Sequence, residues 1–138
     1  MNESREAAKW IYGRLVADAA TVALVGANVY RDVAPESATY PLVLLWPTGG
    51  SDLAVTGAIR VWSEVTFTIE AICDGASADK AEAIATRIYA LFDRASGSTA
   101  AARVLSCVRE STIDGVDTDG DSIYPRLGGS YRLQIQAL

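Results

Sequence analysis

Four aspartates, Asp114, Asp117, Asp119 and Asp121, crowd one short segment, DGVDTDGDS, and oxygen-rich clusters of this kind are what hard cations bind. The spacing resists a calcium loop. Counted from Asp117, the sixth position holds Ser122 where a glycine is needed, and the twelfth holds Gly128 where a bidentate glutamate is needed. Aspartate and glycine are also the residues that turns select, so the segment reads as a hairpin turn. Glu64 and Glu70 share a strand face, but six residues separate them by about 20 Å, too far for the paired carboxylates of a glycosidase. The chain has no histidine, which removes Ser-His-Asp and Cys-His catalysis and imidazole metal ligands together. Its only lysines, Lys9 and Lys80, stand in no phosphate-binding glycine loop. Cys73 and Cys107 have no second pair to complete a zinc site and read as buried, reduced thiols. The residues therefore predict no catalytic set, no metal and no cofactor, and a protein that is not an enzyme.

The elements that position these residues belong to a globular chain. Its 138 residues are half hydrophobic and 21% charged, with 11 Gly and 4 Pro, and a single domain over residues 1–138 is expected. A net charge of −5 offers no overall attraction to a phosphate backbone, so sequence-specific nucleic-acid binding is disfavoured. Lys9 and Arg14 interrupt the apolar residues of the N-terminal segment, and no apolar run is long enough to span a bilayer, so a soluble protein used in a reducing cytoplasm is expected.

Helical spacing of Ala8, Ile11, Leu15, Ala19 and Val22 predicts one amphipathic helix from about Asn2 or Ser4 to Leu24, stopped near Gly26. NVYRDV, residues 28–33, reads as a short strand, and the unbroken apolar run from Leu42 to Trp46 as a strand buried on both faces. A Gly/Thr/Ser-rich loop over residues 48–58 follows, expected to be mobile until a partner orders it. From about Arg60 to Cys73, Val65, Phe67, Ile69 and Ala71 alternate with Glu64, Thr66, Thr68 and Glu70, which predicts a strand with one core face and one wet face. Ser77 then offers an N-cap to a helix reaching about Arg94, with Ala81, Ile84, Ala85, Ile88, Leu91 and Phe92 on its apolar stripe. A polar linker, ASGSTAA, leads to a strand over residues 103–113, the acidic turn, and a last strand in which Tyr131, Leu133, Ile135 and Ala137 alternate with polar residues.

The expected architecture is α+β in two layers: a mostly antiparallel sheet of four to five strands with two helices packed on one face. Its core is expected to hold Leu15, Val65, Phe67, Ile69, Ile84, Ile88, Leu91 and Leu133. Three features fit poorly with a solvated monomer: Trp10 off the first helix's apolar stripe, the run ending at Trp46, and a basic ridge of Lys80, Arg87 and Arg94 at intervals of seven. They are the candidate oligomer interface, where a heterologous contact would set different patches against each other.

The order of segments carries a resemblance: VYRDVAPESATYPLVLL, then TFTIEAICDGASADKAEAIATRIYALFD, then the closing GGSYRLQIQAL. The chain resembles the tail-terminator, or tail-completion, family of long-tailed bacteriophages, with its related minor tail and head-tail joining proteins. That resemblance implies a structural virion protein assembled in the host cytoplasm, a small α+β subunit forming a homo-oligomeric ring, typically a hexamer, at the head-proximal end of the tail. The ring stops polymerisation of the tail-tube protein and offers the joining surface to the head-tail connector protein. DNA passes through its channel without sequence-specific binding, and six chains at −5 each carry about −30, a wall that repels DNA and lets it slide. On this expectation Glu64, Glu70, Asp117 and Asp119 are candidates to face the channel. Gly49, Gly50, Ser51, Asp52 and Leu53 are candidates to contact tube or connector. The alternatives are a small-ligand binding domain using the polar sheet face near Trp62 and Tyr131, and a head-tail connector or stopper subunit.

Overall fold

The computed structural model describes residues 2–55, 59–75 and 78–138, without side-chain placement at 53–55 and 59–61. The order is α1 (Glu3–Ala17), α2 (Ala19–Val25), β1 (Val29–Arg31), β2 (Leu42–Val55), β3 (Ile59–Ile72), α3 (Asp79–Phe92), β4 (Ala95–Ser98), β5 (Ala102–Asp119) and β6 (Ser122–Ala137). The strands form one sheet in the order β1-β2-β3-β6-β5-β4, antiparallel except for the parallel pair β1 and β2. The class is α+β as expected, but the sheet has six strands and three helices accompany it. None of the described helices is long and apolar enough to cross a membrane.

The core face of β3 is as the residues predict: Val65, Phe67, Ile69 and Ala71 are buried in one cluster with Ile11, Leu15, Ala81, Ile84, Ile88 and Phe92 of the helices, but the face expected to be wet is not, since Thr68 and Glu70 are buried there too. Of the expected core residues, only Leu91 stays partly exposed, packed against the cluster edge. The stripe on α3 is also as expected, its buried positions being Ala81, Ile84, Ile88 and Phe92. The helix begins one residue after Ala78, which makes no side-chain cap; the proposed cap Ser77 lies outside the described residues.

The first helix is broken where continuity was expected. Asp18 adopts an extended conformation, accepts hydrogen bonds from the Thr21 amide at 3.0 Å and hydroxyl at 2.7 Å, and starts α2 afresh. The break turns Ala19 and Val22 outward, and Thr21 and Val25 are buried instead. Of the loop expected over residues 48–58, residues 48–55 belong to β2, paired with β3 down to Val55 opposite Ile59; 56–58 lie outside the described residues. The run Leu42–Trp46 is less enclosed than expected, because Leu44 and Trp46 are only half-buried on the face away from the helices.

Two more expectations fail for the same reason, that a backbone ladder recruits residues whose side chains carry no periodicity. The linker ASGSTAA contains β4, which pairs with β5 from Ala95 opposite Cys107 to Ser98 opposite Arg103. The acidic segment is mostly strand: β5 and β6 stay paired out to Asp119 opposite Ser122, leaving Gly120 and Asp121 as the turn, with Gly120 at φ 61°.

Candidate functional site

The residues singled out for function fall into three groups. The first is the proposed interface, of which Trp10 is taken into the core and Arg87 is paired within the subunit. Trp10 is only 5% exposed: its ring meets Phe92 edge-on at 5.7 Å, and the Arg14 guanidinium stands 5.2 Å from its centroid. The flank of α1 that carries it is covered by β4, where Gly97 leaves room; a Cβ there would come within 2.5 Å of the indole Nε1. On sequence the indole goes to an interface because ASGSTAA reads as a linker, whereas β4 supplies the cover from within the subunit. Nor do Lys80, Arg87 and Arg94 make a free basic ridge. Lys80 is exposed at the start of α3, whereas Arg87 donates to both Asp18 oxygens at 2.8 and 2.6 Å. Arg94 lies past the helix end at φ 63° with its side chain 90% exposed. Trp46 keeps a half-exposed place on the sheet, so Trp46, Lys80 and Arg94 stay accessible.

The Asp18 carboxylate is held well below its usual range, first by Arg87 and then by Thr21. Its sequence signal was present: an aspartate three residues before Thr21 inside an otherwise apolar helix is an N-cap pattern.

The second group is acidic. Glu70 was expected on a wet face but is fully buried. It stands opposite Gly128 in β6, and with no side chain there the Arg126 side chain lies diagonally across and donates to Glu70 Oε1 through Nε at 3.0 Å and through Nη2. Arg126 also donates to Asp117 Oδ2 at 2.7 Å. Burial dominates at Glu70 and raises its pKa against the pull of Arg126, whose charge is shared with Asp117, and Glu70 Oε2 has no partner among the described residues. Glu70 therefore cannot face a channel. Glu64 is half-buried, 3.5 Å from Gln134 Nε2, and Asp119 is exposed at the hairpin tip. Asp117 and Asp119 share one face of the ribbon and Asp114 takes the other, and no group of three among the described residues could hold a metal. Both cysteines are buried, and burial pushes the Cys107 thiol up to about 12.

The third group is the segment Gly49, Gly50, Ser51, Asp52 and Leu53. It is ordered by β3, with Gly50 opposite Val65, Ser51 opposite Glu64, and the Ser63 hydroxyl donating to Asp52 Oδ1 at 2.6 Å. Among the described residues its outer edge has no strand beside it, because β1 pairs with β2 only through Leu45. Of the two residues of the small-ligand alternative, Tyr131 is 1% exposed and packs in the core 6.2 Å from Phe92, whereas Trp62 is half-buried on β3.

Every residue from 114 to 123, where β5 and β6 outrun the helices, is exposed. The model of the family "Tail completion protein gp17" matches residues 9–124, most of the chain. The chain belongs to this family. As a tail completion protein it is a structural component of a tailed, phage-like particle, in line with the resemblance read from its segment order. A chain of the "Virion of native gene transfer agent (GTA) particle" superposes with a TM-score of 0.75 at 24% identity over 91% of both chains, a likeness of fold. No curated protein sequence matches the tail completion chain.

Proposed function

We propose that this tail completion protein is the ring-forming tail terminator, which stops polymerisation of the tail tube and offers its other end to the head connector. The observation that carries the proposal is the β5–β6 hairpin, exposed on both faces from residue 114 to 123. The Gly75 amide donates to the Ile123 carbonyl at 3.0 Å and Tyr40 packs on Tyr124 at its base; beyond these contacts the ribbon continues with no other described strand beside it, which is marginal in water, so its length makes sense when neighbouring proteins cover it. The paired ends of β2 and β3, Val55 opposite Ile59, lie at the opposite end of the sheet, since β3 and β6 are antiparallel with Ser63 opposite Ile135 and Ile72 opposite Arg126. A subunit with a protruding strand pair at each end suits a plug between two different neighbours, tube and connector. In a hexamer, DNA would pass a wall to which Glu64, Asp117 and Asp119 remain the acidic candidates, Glu70 being buried.

Electron microscopy of tails assembled with and without the protein tests the function. Overlong, heterogeneous tails that fail to join heads are expected in its absence. Tails of normal length that fail only at joining would assign it to the connector or stopper side, and normal, joined tails would overturn the proposal.

A further inference from the structure

We propose that copies of this chain join edge to edge, the open edge of β5 over residues 110–119 pairing with the open edge of β2 over residues 46–55 of the next copy. The pairing presupposes the ring proposed above and specifies its contact. Both edges are open for the same topological reason. The terminal strands β1 and β4 have three and four residues, whereas the strands they border, β2 and β5, have fourteen and eighteen. On the β4 side, β5 is paired only as far as Cys107; the next amide, that of Arg109, is taken by Asp93 Oδ1 at 3.0 Å, and no described strand lies beyond. On the β1 side, β2 is paired only through Leu45. Each run therefore presents a row of backbone N–H and C=O groups to a further strand. Pro47 removes one donor near the start of the β2 run, and register shifts at Pro47/Gly49 and Leu53/Ala54 leave Gly49 to Leu53 as its regular stretch.

Charge selects which edges meet. The β5 run carries Glu110, Asp114, Asp117 and Asp119; Arg132 and Arg126 pair with Glu110 and Asp117 within the subunit, so it is Asp114 and Asp119 that pairing the run with itself about a two-fold axis would set against like charge. Asp52 is the only charged residue in the β2 run. The favoured partner of the β5 edge is thus the β2 edge, which makes the contact heterologous and lets it propagate around a ring. Direction agrees: β2, β3, β6 and β5 are successively antiparallel, so β5 runs opposite to β2, and neighbours related by rotation present an antiparallel pair. The open runs lie at opposite ends of the sheet, so each joint steps along the strands, as closure of a tilted sheet requires. On this assignment Gly49 to Leu53 meet the neighbouring copy, not the tube or connector.

The test uses thiol cross-linking, which the two buried native cysteines leave silent. The double variant Ser51→Cys/Thr112→Cys, treated with a short bis-maleimide on purified tails and in solution, should give a ladder of covalent oligomers. Each single variant, and the control Ser51→Cys/Ser98→Cys with its second thiol on β4, should give none. Ser51→Glu, facing the acidic run, should lose assembly, and Ser51→Lys should retain it, with circular dichroism confirming that both fold. Rings without the ladder overturn the edge pairing and leave the ring standing. Dimers from Ser51→Cys alone assign a two-fold β2–β2 contact and also overturn it. Absence of rings and ladder together overturns both proposals.

Discussion

Asp18 and Arg87 lock the helical layer together: one carboxylate accepts two hydrogen bonds from the guanidinium on α3 while it caps α2 through the Thr21 amide and hydroxyl. Three helices are thereby tied at one point, since Asp18 is also the residue at which α1 ends. A sequence position that interrupts an apolar helix becomes the joint of the layer.

Asp18→Ala removes the cap and is expected to cost about 1 to 2 kcal/mol. Because the native carboxyl titrates below its unfolded value near 3.8, its contribution is complete above that pH and is lost as the pH falls toward the native value. Urea melts between neutral and acid pH should show a shallower loss of stability in Asp18→Asn than in wild type. Parallel curves would show that the pair contributes nothing pH-dependent.

Glu70 gives the opposite slope. Its native pKa is raised by burial, so the folded state holds the proton more tightly than the unfolded chain, and stability declines as the pH rises through the native value. Glu70→Gln keeps an acceptor for Arg126 and removes the buried charge. It should match or exceed wild type at neutral pH and lose that decline in the same melts; a large loss at neutral pH would mean that the charged pair stabilises the sheet.

Trp10→Ala is expected to unfold a large part of the stability, about 3 to 5 kcal/mol, through the cavity left between Phe92, Arg14 and β4. Chemical denaturation measures it. A variant as stable as wild type but defective only in oligomerisation would restore Trp10 to an interface.

Two glycines of the β5–β6 pair should behave in opposite ways. A Cβ at Gly128 would meet the Ile69 carbonyl oxygen and stand 2.6 Å from the Glu70 Cα, both backbone, so Gly128→Ala must shift β3 against β6 and cost upward of about 1 to 3 kcal/mol. Nothing lies within 4 Å of a Cβ at Gly115, so Gly115→Ala should be neutral or stabilising by a few tenths of a kcal/mol. Thermal melts of the two variants decide it.

Much of this was legible in the residues, and what was legible is local. The α+β class, the alternation of β3 and the stripe of α3 are periodicities that a side chain carries along its own element, so Phe67, Ile69, Ile84 and Ile88 can be placed in the core before any contact is known. The family is legible too, because segment order survives where no catalytic motif exists. Periodicity says nothing about which strand lies next to which. β4 has no apolar pattern and exists because β5 supplies its ladder; with it, Trp10 passes from a supposed interface to the core. Glu70 has the neighbours of a solvated glutamate, and only the register that sets Gly128 opposite and Arg126 diagonally across buries it. The open edges of β2 and β5 are likewise a property of the sheet, created by the shortness of strands that border them in space and lie far from them, or behind a turn, in the chain. Burial and pairing are sums over distant partners, and the tertiary structure alone brings those partners together.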